Sequence, residues 1–131
     1  MYVDSKWDCH HCWVCLDEEL VSTKEIHILG AVGLKPCSYS DTTNQDNTVE
    51  IGYFFVAANS RRKGIGRTLL RLALEYARSV PTLHYVKLLT LNGIYESACK
   101  LYYSEGFQIY REQDVPFYKL LFMQLDIKPT V

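Results

Sequence analysis

The stretch VEIGYFFVAANSRRKGIGRTLLRLALEYA, residues 49–77, decides how this chain folds. It opens on VEIGYFFV, rich in β-branched and aromatic residues, which suits a pleated, half-buried strand. Gly52 inside that run marks a bulge or a close backbone approach. A short turn, AANS, leads into RRKGIG, and from there the period changes. Ile65, Leu69, Leu72, Ala73, Tyr76 and Ala77 share one helical face, while Arg67, Arg71, Glu75 and Arg78 lie mostly off it. The spacing predicts an amphipathic helix that closes near Pro81.

Working outward, residues 26–37 (IHILGAVGLKPC) have strand composition and end at Pro36. The polar run 38–48 (SYSDTTNQDNT) reads as an exposed loop joining two antiparallel strands. Residues 13–21 hold a short strand with an acidic turn. On the other side, HYVKLLTL, residues 84–91, is apolar enough for an interior strand, and Asn92-Gly93 breaks it. Residues 95–105 read as a second helix with Ala98, Leu101 and Tyr102 facing inward. Gly106 then stands where a left-handed C-terminal cap belongs. Two final strands cover 107–111 and 117–125. The order is three strands, helix, strand, helix, two strands: one mixed α/β domain over 1–131 with a strand–helix–strand crossover at its centre. Residues 1–12 lack periodicity and are expected to be loosely held.

Bulk properties exclude several function classes. The 131 residues are 48% apolar with a net charge of −1, so bulk charge gives no reason to expect nucleic acid or a membrane as partner. No apolar stretch approaches the roughly 20 residues that span a bilayer. The opening MYVDSKWDCHHC has an early acid and no apolar run, which is not a secretory signal, so cytosol or nucleus is the default compartment. Of five cysteines, Cys9, Cys12 and Cys15 crowd together, a poor disulfide framework. A structural zinc site needs a second ligand pair, and only Cys37 and His27 are on offer, so no metal is expected.

The glycine turn is where chemistry enters. Gly64 and Gly66 lack Cβ atoms, so a ligand can approach the backbone closely. Amides over 62–67 open a helix, have no intrahelical acceptor, and sit at the positive end of its dipole. Arg61, Arg62, Lys63 and Arg67 add full charges, a combination suited to a diphosphate. The spacing is neither G-x-x-x-x-G-K-S/T nor G-x-G-x-x-G after a first strand, which argues against a P-loop and a dinucleotide fold. A basic helix start with no ligand is the plain alternative.

On these residues the sequence resembles the GNAT N-acetyltransferases. Phe54-Phe55-Val56 matches the step that ends the family's fourth strand, and Arg61-Arg62-Lys63-Gly64-Ile65-Gly66 its Arg/Gln-x-x-Gly-x-Gly/Ala turn. Ala58 replaces a usual proline. Residues 97–107 (SACKLYYSEGF) resemble the Ala-x-x-Leu-Tyr-x-x-x-Gly-Phe block through Ala98, Leu101, Tyr102, Gly106 and Phe107; Tyr95 stands where an asparagine is common. The resemblance implies an acyl-CoA N-acyltransferase fold: a central mixed, mostly antiparallel sheet whose fourth and fifth strands splay apart. Against that pattern the chain is expected to lack the usual first strand and first two helices. An apolar face left open there predicts a homo-oligomer or a covering partner.

The same resemblance implies acetyl-CoA as co-substrate. Its pantetheine pairs with the backbone of Phe54, Phe55 and Val56 like an added strand. Its diphosphate rests on the turn formed by Arg61, Arg62, Lys63, Gly64, Ile65, Gly66 and Arg67. A neutral amine attacks the thioester directly, and a backbone N–H near Val56 meets the oxyanion. Tyr102 matches the family's general acid, and a core tyrosine is its alternative. Glu50 matches a common base position, against an exposed strand glutamate. His27 and His84 are weaker bases by position. The acceptor is a small-molecule, peptide or protein amine. Two other functions remain open: a CoA-binding module that transfers nothing, and a phosphate-ligand domain of another class.

Overall fold

The computed structural model describes residues 1–7, 10–17, 27–37, 39, 45–61, 63–93 and 96–128. They form strands β1 (Tyr2–Trp7), β2 (His10–Leu16), β3 (Ile28–Pro36) and β4 (Thr48–Val56), then helix α1 (Ile65–Ser79). Strand β5 (Tyr85–Asn92), helix α2 (Glu96–Ser104), and strands β6 (Gln108–Val115) and β7 (Tyr118–Asp126) complete the order. A 3-10 turn, Gln45–Asn47, precedes β4, and another, Ala58–Ser60, follows it.

All the strands belong to one sheet, in the order β1-β2-β3-β4-β5-β7-β6. Every neighbouring pair is antiparallel except β4 and β5, which α1 joins as a crossover. The mixed α/β class with a mostly antiparallel sheet is therefore as the sequence reads. Helix α1 lays Ile65, Leu69, Leu70, Ala73, Leu74 and Ala77 on one face of the sheet. There they meet Val32, Leu34, Ile51, Val86 and Met123 in one core. Leu69 and Leu70 are fully buried, each contributing roughly 1.5–3 kcal/mol by leaving water. Leu72 and Tyr76 are half-buried, and Leu70 and Leu74 take the inward places, because a wide sheet asks for a broader stripe than one row. The helix ends where Val80 donates back to Ala77 O at 3.2 Å, with Pro81 next.

The opening of the chain corrects one expectation. Residues 1–12 read as loosely held and without a first strand, yet β1 lies along the outer edge of β2, from Tyr2 opposite Cys15 to Trp7 opposite His10. Met1 closes the ladder: its ammonium donates to Leu16 O at 3.1 Å, and Leu16 N–H donates to Met1 O at 2.7 Å. Backbone groups of the neighbouring strand drive this pairing, not an apolar rhythm, so periodicity cannot reveal it. Among the described residues no helix stands between β1 and β2, and none is long and apolar enough to cross a membrane.

Helix and sheet lie close together at Gly30. A Cβ there would lie 2.9 Å from Phe55 O, 3.0 Å from Leu69 Cδ1 and 3.2 Å from Ile65 Cγ2. Backbone oxygen cannot yield as a side chain can. Gly30→Val is expected to destabilise the fold by about 2 kcal/mol through overpacking, read as a lower urea midpoint; an unchanged midpoint would contradict this packing.

Candidate active site

Strands β4 and β5 pair for three residues only, Thr48, Val49 and Glu50 against Tyr85, Val86 and Lys87. Beyond that point β5 keeps β7 as its neighbour through Asn92, and β4 keeps β3. The two strands are no longer paired with each other, and a wedge opens toward Val56 and Asn92. Where parallel strands part, backbone donors and acceptors face a gap that an extended ligand can fill.

Strand β4 is bent within the wedge. Ala31 opposes Phe55 but Gly33 opposes Gly52, so β4 carries one residue more than β3 between these pairs. This is a β-bulge, adjacent to Gly52 as the sequence reads. Its strained residue is Tyr53, at φ 54, in the left-handed region that costs a non-glycine residue about 1 kcal/mol or more. Through the bulge Phe54 reaches the core, while Tyr53 and Phe55 are exposed.

The turn after β4 delivers a bare helix start. Gly64 is the N-cap of α1 at φ 77, and no side chain caps the helix there. A Cβ on Gly64 would meet nothing within 4 Å. The first helical bond is Thr68 N–H to Gly64 O, 3.0 Å, so the amides before it have no helical acceptor. Gly66 has a different reason to be glycine: a Cβ would sit 3.3 Å from Val56 Cγ2 and 3.6 Å from Phe54 Cζ, so its bareness seats the helix on β4. Arg61 is exposed, and its Nε reaches Val56 O at 3.5 Å. Lys63 is exposed. Arg62 lies outside the described residues, as do Cys9 and Tyr95. Arg67 points elsewhere: its Nη1 donates to Ser104 Oγ at 3.2 Å and lies 3.5 Å from Glu105 Oε1, so its amide, and not its guanidinium, is turned to the cradle.

Tyr102 is set by the end of α2. Phe107 N–H donates to Tyr102 O at 3.0 Å and Gly106 N–H to Tyr103 O at 3.1 Å, with Gly106 at φ 101. This is a Schellman cap, and the Tyr102 and Phe107 rings make its apolar contact at 5.8 Å. The Tyr102 ring also lies 6.0 Å from Phe54 of β4. Burial, and then the nearby Cys99 thiol, push the Tyr102 phenol well above the ordinary tyrosine range, so it stays protonated at neutral pH.

Glu50 occupies the root of the wedge on the other face of the sheet. Its neighbours Val49 and Ile51 point to the core, and alternation sends Glu50 away from it. It is buried, opposite Lys35 on β3 and Lys87 on β5. Lys35 Nζ lies 3.5 Å from Glu50 Oε2. The buried Lys87 places its ammonium 4.6 Å over the Tyr110 ring. Tyr39 packs edge-on against Phe122, and its buried hydroxyl makes no hydrogen bond of standard geometry. Burial, and then the Glu50 charge, push the Tyr39 phenol far up. Lys35 and Lys87 are the members of this site that sequence reading missed. Only the strand register brings them to Glu50.

His84 and His27 are both exposed, His84 beside Tyr85 just before β5. Cys12 and Cys15 lie on opposite faces of β2, Cys15 in the core. A cavity of about 420 Å³ opens at the Asn92 end of β5, bounded by Gly93, Asp114, Phe117, Tyr118 and Lys119.

The sequence model of the acetyltransferase (GNAT) family matches residues 1–107. This chain belongs to the GNAT acetyltransferase family. It is 31% identical over 107 residues to N-acetyltransferase 8 of Homo sapiens, a match covering 82% of this chain and 41% of that protein. The chain thus spans about two fifths of the length of that curated relative. Among solved structures, NAA60 of Arabidopsis thaliana in complex with a bisubstrate analogue has a TM-score of 0.78 at 18% identity, covering 94% of this chain and 79% of that one. The yncA structure from Salmonella typhimurium, with its cofactor acetyl-CoA, has a TM-score of 0.70 at 21% identity, covering 93% and 67%. These likenesses establish the GNAT fold.

The two buried phenols make this GNAT domain alkali-sensitive. A phenol whose folded pKa exceeds its unfolded value keeps a proton that the unfolded chain releases. Its contribution to stability is complete below about pH 10 and is lost as pH rises beyond it. Absorbance at 295 nm is expected to show Tyr39 and Tyr102 ionising only after the surface tyrosines, together with unfolding. Full ionisation of every tyrosine in the folded protein near pH 10 would contradict both burials.

Proposed function

We propose that this chain is an N-acetyltransferase that moves an acetyl group from acetyl-CoA to a primary amine within the β4–β5 wedge. One juxtaposition carries the reading: the strand that leaves β5 at Glu50 ends at the bare helix start of Gly64. An extended ligand with a diphosphate at one end suits that path. Open space at Gly64 and helix amides without acceptors fit the diphosphate, assisted by Arg61 and Lys63. The unpaired stretch of β4 at Phe54, Phe55 and Val56 fits an amide-bearing chain. Acetyl-CoA supplies the activated acetyl thioester.

The roles of this chain's residues follow from their faces. Glu50 takes the proton that the attacking amine loses. A β4 amide near Val56 supports the negative oxygen that forms on the acetyl carbon. As the carbon–sulfur bond breaks, Tyr102 gives its phenolic proton to the departing thiolate. A relative named N-acetyltransferase supports an amine as acceptor. Calorimetric titration with acetyl-CoA followed by an acetyl-acceptor screen tests the reading. Binding without transfer to any amine would leave a CoA-binding module in its place.

Two variants separate binding from chemistry. Gly64→Glu has room for its side chain but puts a carboxylate where the diphosphate belongs. A folded variant with no measurable heat on acetyl-CoA titration is expected; wild-type affinity would remove the cradle. Tyr102→Phe is expected to keep the KM for acetyl-CoA within about twofold and lower kcat about 100-fold, the scale of a lost general acid. A wild-type kcat would remove Tyr102 from the chemistry.

A further inference from the structure

We propose that Lys35 is a positioning residue that clamps the Glu50 carboxylate at the root of the wedge, a role that rests on Glu50 acting as the base. Glu50 is 7% exposed, and a carboxylate removed from water needs a fixed counter-charge or it takes up a proton. The register supplies one from each side, Lys35 across from β3 and Lys87 across from β5. The two lysines are not equivalent. Lys87 is buried and lies over the Tyr110 ring. Lys35 has a side chain 29% exposed, reaches Glu50 Oε2 at 3.5 Å, and lies 5.5 Å from the Tyr53 ring centroid.

Lys35 therefore bridges the carboxylate and the bulge. The bulge at Tyr53 is what turns β4 within the wedge, so one ammonium links the base to the bend in the strand. The fit is close: a Cβ on Gly52 would lie 3.1 Å from Lys35 Cε, so glycine there leaves the lysine stem its path. Tyr39, on the segment leaving β3, packs its ring edge-on against Phe122 on the same face of the sheet. The charged groups flanking Glu50 are thus Lys35 from β3 and Lys87 from β5.

The test compares Lys35→Met, Lys35→Arg and Glu50→Gln in the intact chain. The readout is thiol release from acetyl-CoA with pooled tripeptides and biogenic amines. Lys35→Met is expected to lose about tenfold in kcat with its acetyl-CoA KM unchanged, the scale of a misplaced catalytic group, and Lys35→Arg to restore the wild-type rate. A wild-type kcat in folded Lys35→Met overturns the proposal. Glu50→Gln at the wild-type rate would instead show that Glu50 is not the base, which removes the proposal together with that reading.

Discussion

The site depends on a parallel strand pair that stops after three residues. A crossover helix normally lets two parallel strands run side by side, and here α1 joins β4 to β5 in that manner. Two things prevent the ladder from continuing. The bulge at Tyr53 bends β4, and β7 holds β5 along its whole length, from Tyr85 opposite Asp126 to Asn92 opposite Lys119. One strand is fixed and the other is bent, so the gap between them is built into the sheet. An unpaired strand edge inside a domain is costly unless something fills it. That cost is the physical reason to look for an extended, amide-bearing ligand in this place.

Splaying the strands also brings the two faces of the sheet into contact with one space. Tyr102 approaches from the helical face through Phe54, and Glu50 lies on the opposite face with Lys35 and Tyr39. In a continuous sheet these groups would be separated by a layer of backbone. The proposed acid and base, on opposite faces, suit a reaction in which one partner loses a proton as the other gains one, because neither group would neutralise the other directly. Their surroundings are sorted the same way. Burial among aromatic rings favours the neutral form of Tyr102, while Glu50 lies between two lysines.

How much of this was legible in the sequence depends on the range of each interaction. Local signals carried far: the α1 stripe, the bulge beside Gly52, the glycine turn, and the cap at Gly106 that fixes Tyr102. Each involves residues within about a turn or a strand pair of one another. Strand β1 was missed because an edge strand needs a neighbour's free backbone and not an apolar rhythm. Lys35 was missed because it meets Glu50 only through the β3–β4 register, across a polar loop that hides the count of residues between them. The strained residue of the bulge also proved to be Tyr53 and not the glycine before it, since nothing in the sequence says which residue of a bulged pair will take the left-handed conformation.

The arginines show why charge alone misleads at a helix start. Arg67 and Arg71 both meet Glu105 Oε1, at 3.5 and 2.8 Å, and Arg67 also meets Ser104. Exposed ion pairs are worth about 0.2–1 kcal/mol each, too little to matter much for stability. Geometry is where this one matters. Glu105 follows α2 directly, one turn after Tyr102, and its amide is bonded to Leu101 and Tyr102 carbonyls. The arginines therefore fasten the last turn of α2 to the first turns of α1. Tyr102 and the glycine turn come from different parts of the chain, yet this contact and the seating of Gly66 against Val56 hold them in one frame. The placement of the phenol and the placement of the helix start are one structural problem, and Arg67 serves it through the protein before any ligand is present.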